Sequence, residues 1–164
     1  AVDEATFNRS PEQSQLARES VMAGHAVGRR ASDGWIANLD FIDLLGSSFF
    51  AEFLTAITRI RYLDEMSFLP RVMKWGDFCR AHDDTAGTRG LCMLFYVDDG
   101  WRPGFGGRFQ HVVNGKSVRN VEPLANRVLI HEPRIDQIHQ VESFTREALR
   151  WERCSYSVWY SRRA

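Results

Sequence analysis

The second part of the chain alternates short apolar segments with turn residues, and this pattern limits the fold more than any other feature. The segment RGLCMLFYV (89–97) is apolar and aromatic enough to predict a buried strand. Further strands are predicted in GRFQHVV, NRVLIHE, DQIHQVESF and RCSYSVWYS, which are separated by turn signals such as Asn114-Gly115 and Pro133. Several strands at this spacing predict a sandwich or barrel with helices packed outside it.

The first part of the chain has a helical periodicity, which extends from Pro11 to about Ile60. Its clearest apolar stripe consists of Phe49, Phe50, Phe53, Leu54 and Ile57, which we expect to face the core. A length of 164 residues suits one domain with a real core. We therefore expect a single domain over residues 1–164, with a mainly helical N-terminal support over 1–66 and a β core over 67–161.

The composition argues against several classes of partner. Lys plus Arg and Asp plus Glu both number 21, so a formal charge of zero gives no electrostatic reason to expect nucleic acid or an anionic membrane. No apolar run reaches the roughly 18 residues of a membrane span, and the N-terminus lacks a signal-peptide profile. Three cysteines cannot all pair within one chain, so we expect a reduced, cytoplasmic protein. The oligomeric state stays open.

A polar segment, FCRAHDDTAG, places His82 and Asp84 two positions apart. In a strand, residues i and i+2 point to the same face, so this imidazole and carboxylate would act together. A third ligand has to come from another strand, and the candidates are His111, His131 and His139. His139 lies in the predicted strand DQIHQVESF and is preferred. Two His and one carboxylate from neighbouring strands form the facial triad that holds non-haem Fe(II).

Several segments occur in a fixed order around these residues. They are HDDTAGTRGLCMLFYVDDGWRPGFGGRFQ, VEPLANRVLIHE, IHQVESF and RCSYSVWY. Together they resemble the prolyl-4-hydroxylase-like branch of the Fe(II)/2-oxoglutarate-dependent oxygenases, over roughly residues 71–160. The resemblance implies a mainly β fold with flanking helices and a double-stranded β-helix (jelly-roll, cupin-like) core. It also implies His82, Asp84 and His139 as iron ligands, with Fe(II), 2-oxoglutarate and O2 as cofactor and cosubstrates.

The resemblance further implies a buried arginine on the last core strand that binds the distal carboxylate of 2-oxoglutarate. Arg146, Arg150 and Arg153 compete for this role. Strand alternation puts Arg153 and Ser155 on one face, where a guanidinium and a hydroxyl would form a carboxylate pocket. Arg146 stays an alternative, because the interval from the last His ligand to Arg153 is longer than is usual in the family. Tyr96 matches a position whose hydroxyl commonly bonds the cosubstrate, with a half-buried strand tyrosine whose hydroxyl is already satisfied as the alternative.

The reaction that the resemblance implies is hydroxylation of an unactivated C–H bond, with release of succinate and CO2. We expect the substrate to be an amino acid or an amino-acid-derived small molecule, with a peptidyl or protein prolyl hydroxylase as the alternative. The carboxylate of Asp84 favours hydroxylation, since related halogenases lack it. Arg89, Trp101 and Trp159 are candidates for contacting the substrate, against the simpler alternative of surface or packing roles.

Two other kinds of site compete with the iron hypothesis. Cys79 and His82 have a C-x-x-H spacing, and Cys154 could complete a structural zinc site. Against zinc, a Cys three positions before a His on a strand is predicted to point to the opposite face. The remaining alternative is a non-catalytic jelly-roll module that binds metal without performing chemistry.

Overall fold

The structure is a computed structural model that describes residues 41–85 and 87–162. Residues 41–45 are helical and are followed by one complete helix and eight strands. The elements are α1 (Ser48–Thr58), β1 (Tyr62–Lys74), β2 (Cys79–His82), β3 (Arg89–Tyr96), β4 (Phe109–Val113), β5 (Lys116–Val121), β6 (Arg127–His131), β7 (His139–Val141) and β8 (Glu152–Arg162). The helical periodicity predicted before residue 41 lies outside the described residues.

Local signals set both ends of α1. Ser47 is the N-cap, and its hydroxyl accepts a hydrogen bond from the backbone N–H of Phe50 at 3.2 Å. At the other end Arg59 is left-handed, with φ of 62°, and its N–H donates to the Thr55 carbonyl at 2.7 Å. The helix buries Ala51 and Leu54, two members of an apolar face that packs on the first sheet.

The strands form two four-stranded antiparallel sheets. Their orders are β1-β8-β3-β6 and β2-β7-β4-β5, so most neighbours in space are distant in sequence. Two apolar clusters hold the sheets face to face. One joins Tyr96 of β3 to Phe109 of β4, and the other joins Met73 of β1 to Val141 of β7. The result is the jelly roll that the sequence predicts.

The central strand β8 has two distinct faces, as strand alternation requires. Val158 and Tyr160 pack in a cluster with the helical residues Leu45 and Leu54. The Tyr160 hydroxyl also donates to the Leu45 carbonyl at 2.9 Å. The opposite face carries Arg153, Ser155, Ser157 and Trp159, all buried. This second face lies between the sheets and supplies polar groups to the interior.

The strand boundaries differ from the sequence prediction in two places. β1 begins at Tyr62, ahead of the expected start of the β core at residue 67. β5 was not predicted, because all but its last residue are exposed and polar positions dominate it. It is an edge strand that needs only β4 as a partner. The single domain over residues 1–164 stays a prediction, since part of that range is not described.

Two further observations concern the environment of the chain. None of the helices in residues 41–85 and 87–162 is long and apolar enough to cross a membrane. The cysteines Cys79, Cys92 and Cys154 are buried thiols rather than members of a disulfide.

We expect Leu54→Ala to lower the free energy of unfolding by about 2–5 kcal/mol, because it leaves a cavity at a core position. Leu54 is 0 % exposed, whereas Phe49 is 71 % exposed. The prediction that the whole apolar stripe faces the core is therefore wrong for Phe49, and also for Phe53 and Ile57, which are exposed. Phe49→Ala is therefore the matched control, with an expected change below about 0.5 kcal/mol. Urea unfolding followed by circular dichroism measures both. Equal effects of the two substitutions would contradict the packing described here.

Candidate metal centre

The three residues of the predicted triad come from adjacent parts of the second sheet. His82 ends β2 and His139 begins β7, and the two are direct partners in the antiparallel pairing of these strands. Asp84 lies beyond the end of β2 and has a left-handed backbone with φ of 58°. Asp83 supports this turn, since its Oδ1 accepts hydrogen bonds from the N–H and hydroxyl of Thr85 at 3.0 and 2.8 Å. Asp84 thus reaches the cluster from a turn, and not from a strand as the sequence suggested.

The side chains of these three residues converge on one point. The Nε2 atom of His82 is 3.6 Å from Oδ1 of Asp84, and the Nε2 atom of His139 is 3.4 Å from Oδ2. The two imidazole rings have centroids 4.3 Å apart. One ligand atom from each residue lies within 4.8 Å of the other two. This is a donor set suited to a divalent transition metal with open coordination positions.

The outer nitrogens of both imidazoles are already occupied by backbone carbonyls. Nδ1 of His82 is 2.7 Å from the Arg80 carbonyl, and Nδ1 of His139 is 3.2 Å from the Gln137 carbonyl. A carbonyl only accepts hydrogen bonds, so these contacts place the proton on Nδ1. The lone pair of each Nε2 is then directed at the cluster, which is the arrangement that metal-binding histidines adopt.

Two of the three predicted substrate residues contact Asp84. The indole N–H of Trp159 donates to Oδ2 at 3.2 Å, and Nη1 of Arg89 is 3.4 Å from Oδ1. The Arg89 guanidinium also lies 4.4 Å from the centre of a Trp159 ring. Burial raises the pKa of the Asp84 carboxyl, but the close approach of His139 and His82 outweighs burial and holds the pKa below its usual range. The carboxylate is therefore charged at neutral pH.

Cys79 does not point away from His82, so that prediction is wrong. Its Sγ lies 3.7 Å from Nδ1 of His82, because the pairing of β2 with β7 is irregular between these two positions. The thiol nevertheless meets the nitrogen on the far side of the ring from Asp84. Neither Cys79 nor Cys154 belongs to a cluster able to hold a metal in the described part of the chain. A thiolate zinc site built on Cys79 therefore has no support.

Two neighbours of the triad received no role in the sequence analysis, although His131 was one of the candidates for the third ligand. Cys92 and His131 are direct partners on β3 and β6, and with Asp84 they form a second set of three potential ligands within 4.8 Å. The ring of His131 has its centroid 4.8 Å from that of His139. Burial lowers the pKa of His131 to about 4, so its imidazole is neutral at neutral pH. The register between β3 and β6 brings these two residues together, and this register cannot be read from the sequence.

A second polar group lies between the sheets, at the far end of β3 from Arg89. Arg153 is 1 % exposed and its guanidinium carbon is 5.7 Å from the centre of the Tyr96 ring. Tyr96 and Ser155 are direct partners of β3 and β8. Both of their hydroxyl oxygens are buried and have no hydrogen-bond partner among the described residues. A carboxylate bound here would accept hydrogen bonds from both hydroxyls and would lie beside the positive charge of Arg153.

The protonation state of Tyr96 supports this reading. Burial raises the pKa of its hydroxyl to about 12, so the group keeps its proton and can donate a hydrogen bond to an acceptor.

Arg146 and Arg150, the competing arginines, are exposed and lie in or beside the short 3-10 helix Arg146–Ala148. Residues Arg153, Tyr96 and Ser155 are thus brought together, and the two alternatives are not.

Gly106 and Gly107 allow the loop before β4 to pack closely against its neighbours. Both have φ of 72°, and a Cβ atom on Gly107 would overlap the ring of Phe144. The Gly107 carbonyl accepts a hydrogen bond from Nη1 of Arg153 at 3.0 Å. The indole N–H of Trp101 donates to the Gly106 carbonyl at 2.9 Å. Trp101 therefore holds this loop, and the structure does not bring it to the triad.

Comparison with known proteins places these features in a family. The sequence profile of the "2OG-Fe(II) oxygenase superfamily" matches residues 69–161, which is more than half of the chain. No curated protein matches the sequence significantly. Solved structures with the same fold do exist, and all those compared below share less than 25 % of their residues with this chain.

Three of these structures are informative. A Pseudomonas putida prolyl-4-hydroxylase is 23 % identical, with a TM-score of 0.51 over 82 % of this chain and 67 % of that one. A Burkholderia pseudomallei oxidoreductase of the 2OG-Fe(II) oxygenase family is 20 % identical, with a TM-score of 0.60 over 76 % of this chain and 55 % of that one. A Trichoplax adhaerens prolyl hydroxylase, in complex with a peptide fragment of hypoxia inducible factor, is 16 % identical, with a TM-score of 0.54 over 64 % and 47 %.

The chain therefore spans between 47 % and 67 % of the length of these three relatives. The likeness to them shows the jelly-roll fold and confirms the fold prediction. The profile match confirms the predicted family, and with it the predicted set of Fe(II), 2-oxoglutarate and O2 that this family uses. The chain belongs to the 2OG-Fe(II) oxygenase superfamily.

Proposed function

We propose that this protein is an Fe(II)- and 2-oxoglutarate-dependent hydroxylase in which His82, Asp84 and His139 bind the iron. The observation that carries the proposal is the convergence of their three ligand atoms within 4.8 Å. The Nδ1 contacts of both imidazoles prepare the two Nε2 atoms for a metal. Trp159 and Arg89 hold the Asp84 carboxylate in place through contacts with its Oδ2 and Oδ1 atoms.

The cosubstrate 2-oxoglutarate is bound at its distal carboxylate by Arg153, Tyr96 and Ser155. The two unpartnered hydroxyls and the buried guanidinium supply hydrogen-bond donors and a positive charge for this carboxylate. Arg153 and Trp159 share one face of β8, and Trp159 contacts Asp84. A single strand thus supports both the metal centre and the carboxylate pocket, which fixes their relative position.

The bound iron and 2-oxoglutarate supply the oxidising chemistry, which places an oxygen atom on a substrate C–H bond and releases succinate and CO2. The residues of this chain contribute ligation, orientation and exclusion of water. Tyr96 stays protonated and donates to the cosubstrate carboxylate, because burial keeps its pKa at about 12. Asp84 is already ionised at neutral pH, so its carboxylate can bind the metal without first losing a proton.

The substrate class is an amino acid or an amino-acid-derived small molecule. A cavity of about 320 Å³ opens beside His139, and its volume lies at the lower end of the range for small-molecule sites. The alternative is a prolyl residue in a peptide or protein. Two of the similar structures are prolyl hydroxylases, one of them bound to a peptide fragment, and this is the observation that favours the alternative.

The decisive experiment starts with the metal-free protein under anaerobic conditions. We expect it to bind one equivalent of Fe(II) and then 2-oxoglutarate, and to form succinate on exposure to O2 with a panel of amino acids, N-acylated amino acids and prolyl peptides. The panel member that couples succinate formation to its own hydroxylation identifies the substrate class. Binding of zinc in preference to iron, with no succinate from any substrate, would instead support the non-catalytic metal-binding module.

A further inference from the structure

One row of directly paired residues crosses the whole second sheet. Arg119 of β5 pairs with His111 of β4, and His111 pairs in turn with His139 of β7. His139 pairs with His82 of β2, so the proposed metal ligands are the last two members of the row. Residues that pair directly across antiparallel strands project to the same face of a sheet. Arg119 and His111 therefore project to the side of the sheet that carries the metal centre.

The cavity beside His139 opens over this row. It has a volume of about 320 Å³. Its lining residues are Phe109, His111, Arg119, Val121, Leu129, Ile130, His131, Glu132, Arg134, Gln137 and His139. Phe109, Val121 and Leu129 belong to the apolar cluster between the sheets, which makes one wall apolar. The wall formed by the row is basic.

The charges around this cavity leave one cation without a counter-charge. Arg134 forms an ion pair with Asp136 at 3.0 Å, and Glu132 forms one with Arg162. The side chain of Arg119, by contrast, has no hydrogen-bond or ion-pair partner within residues 41–85 and 87–162. The cavity thus presents one uncompensated guanidinium, and its acidic group is already neutralised.

His111 adds a second polar atom without a partner. Its Nε2 is buried and makes no hydrogen bond to any described residue. A buried ring nitrogen with no partner costs free energy unless a ligand or water satisfies it. Because His111 stands between Arg119 and His139 in the row, a group that bonds its Nε2 also lies within reach of the Arg119 guanidinium.

We propose that the substrate of this protein carries a carboxylate, and that Arg119 and His111 bind it in this cavity. The inference rests on the function proposed above, because it places the substrate carbon that reacts on the side of the cavity formed by His139. Arg119 supplies the charge and a two-pronged set of donors that matches a carboxylate. The apolar wall of Phe109, Val121 and Leu129 packs against the rest of the molecule.

The geometry also limits the length of the substrate. Arg119 and His139 lie on strands that are separated by the single strand β4, which corresponds to about 10 Å between their Cα atoms. The guanidinium reaches back over part of that distance. The carboxylate and the oxidised carbon are thus separated by a few bonds, as in an amino acid or a short derivative of one.

This carboxylate site is separate from the one proposed for 2-oxoglutarate. The cavity takes in His131, which pairs with Cys92 near the start of β3. Arg153 lies with Tyr96, at the end of the same strand. Two carboxylates, one from the cosubstrate and one from the substrate, would therefore be bound by different sets of residues.

The test compares carboxylates with their neutral carboxamides. The probes are a panel of free and N-acetylated amino acids and the corresponding carboxamides, titrated calorimetrically into the anaerobic protein loaded with Fe(II) and 2-oxoglutarate. We expect at least one carboxylate to bind about 10-fold more tightly than its carboxamide, which equals about 1.4 kcal/mol. In Arg119→Gln we expect that preference to disappear, while 2-oxoglutarate still binds with unchanged affinity.

Arg150→Gln is the matched control, because it removes another exposed arginine that does not line the cavity. It should keep the full preference for the carboxylate. The inference is overturned if the wild-type protein binds no carboxylate of the panel, binds carboxylate and carboxamide equally, or keeps its preference in Arg119→Gln. Failure of the wild-type protein to bind Fe(II) and 2-oxoglutarate would be a different result, since it contradicts the proposed function itself.

Discussion

Asp84→Ala should abolish Fe(II)-dependent formation of succinate from 2-oxoglutarate, with a loss of more than about 100-fold, while the fold is retained. Changing a residue outside the ligand set of a metal typically costs up to about 100-fold, and removing a ligand costs more. Asp84 supplies the only carboxylate among the three converging residues. It stands in a turn after β2 and not in a strand, so its loss removes no strand pairing. Iron titration and succinate release measure the effect, and circular dichroism measures the fold.

Asp83→Asn is the matched control for this substitution. It removes one negative charge from the same turn but keeps an oxygen that can accept the hydrogen bonds from Thr85. Activity in this variant should stay close to that of the wild-type protein. Robust succinate formation by Asp84→Ala, or an equal loss in both variants, would rule out the proposed ligand set.

Arg153→Leu should raise the KM for 2-oxoglutarate by about 100-fold and leave the affinity for Fe(II) nearly unchanged. Breaking a buried ion pair by removal of one partner costs about 3–5 kcal/mol, and about 2.8 kcal/mol already corresponds to 100-fold. The guanidinium of Arg153 is buried beside Tyr96. A carboxylate that binds there is therefore removed from water and forms a buried ion pair. Steady-state kinetics at varied 2-oxoglutarate concentration, together with an iron titration, separates the two effects.

Milder variants accompany this one, because Arg153 also bonds the Gly107 carbonyl and the Met73 sulfur in the core. Tyr96→Phe and Ser155→Ala each remove only a hydroxyl that has no partner among the described residues. Each should raise the KM for 2-oxoglutarate by at least about 10-fold, since a hydrogen bond to a charged group contributes about 1.5–3 kcal/mol. If Arg146→Leu raises the KM and these variants do not, the carboxylate is bound at Arg146.

The sequence carries enough local information to predict most of the β core. β3 and β8 are apolar and aromatic, and the alternation within RCSYSVWY separates the helix-packed face from the interior face that carries Arg153 and Trp159. β5 escaped prediction, because an exposed edge strand has no buried face to impose alternation on its sequence. The alternation of apolar and polar residues in a strand reflects the burial of one face, so a strand with no buried face does not show it.

The candidate site was predicted in composition but not in detail. The spacing of His82 and Asp84 suggests a shared strand face, but Asp84 reaches the site through a left-handed turn that spacing cannot express. Cys79 was placed on the wrong side of His82, because an irregularity in strand pairing is invisible in the sequence. The roles of Arg153, Tyr96 and Ser155 remain proposals, although the structure gathers these residues around two unpartnered hydroxyls.

The sequence by itself determined the family, the type of fold and the kinds of side chain that could form a metal centre. It could do so because periodicity, turn residues and ordered motifs are local properties of the chain. Only the tertiary structure decided which faces meet. The row from Arg119 through His111 to His139 and His82 joins four strands that are scattered along the chain. Its existence depends on the register of three strand pairings, which long-range packing fixes and no local pattern encodes.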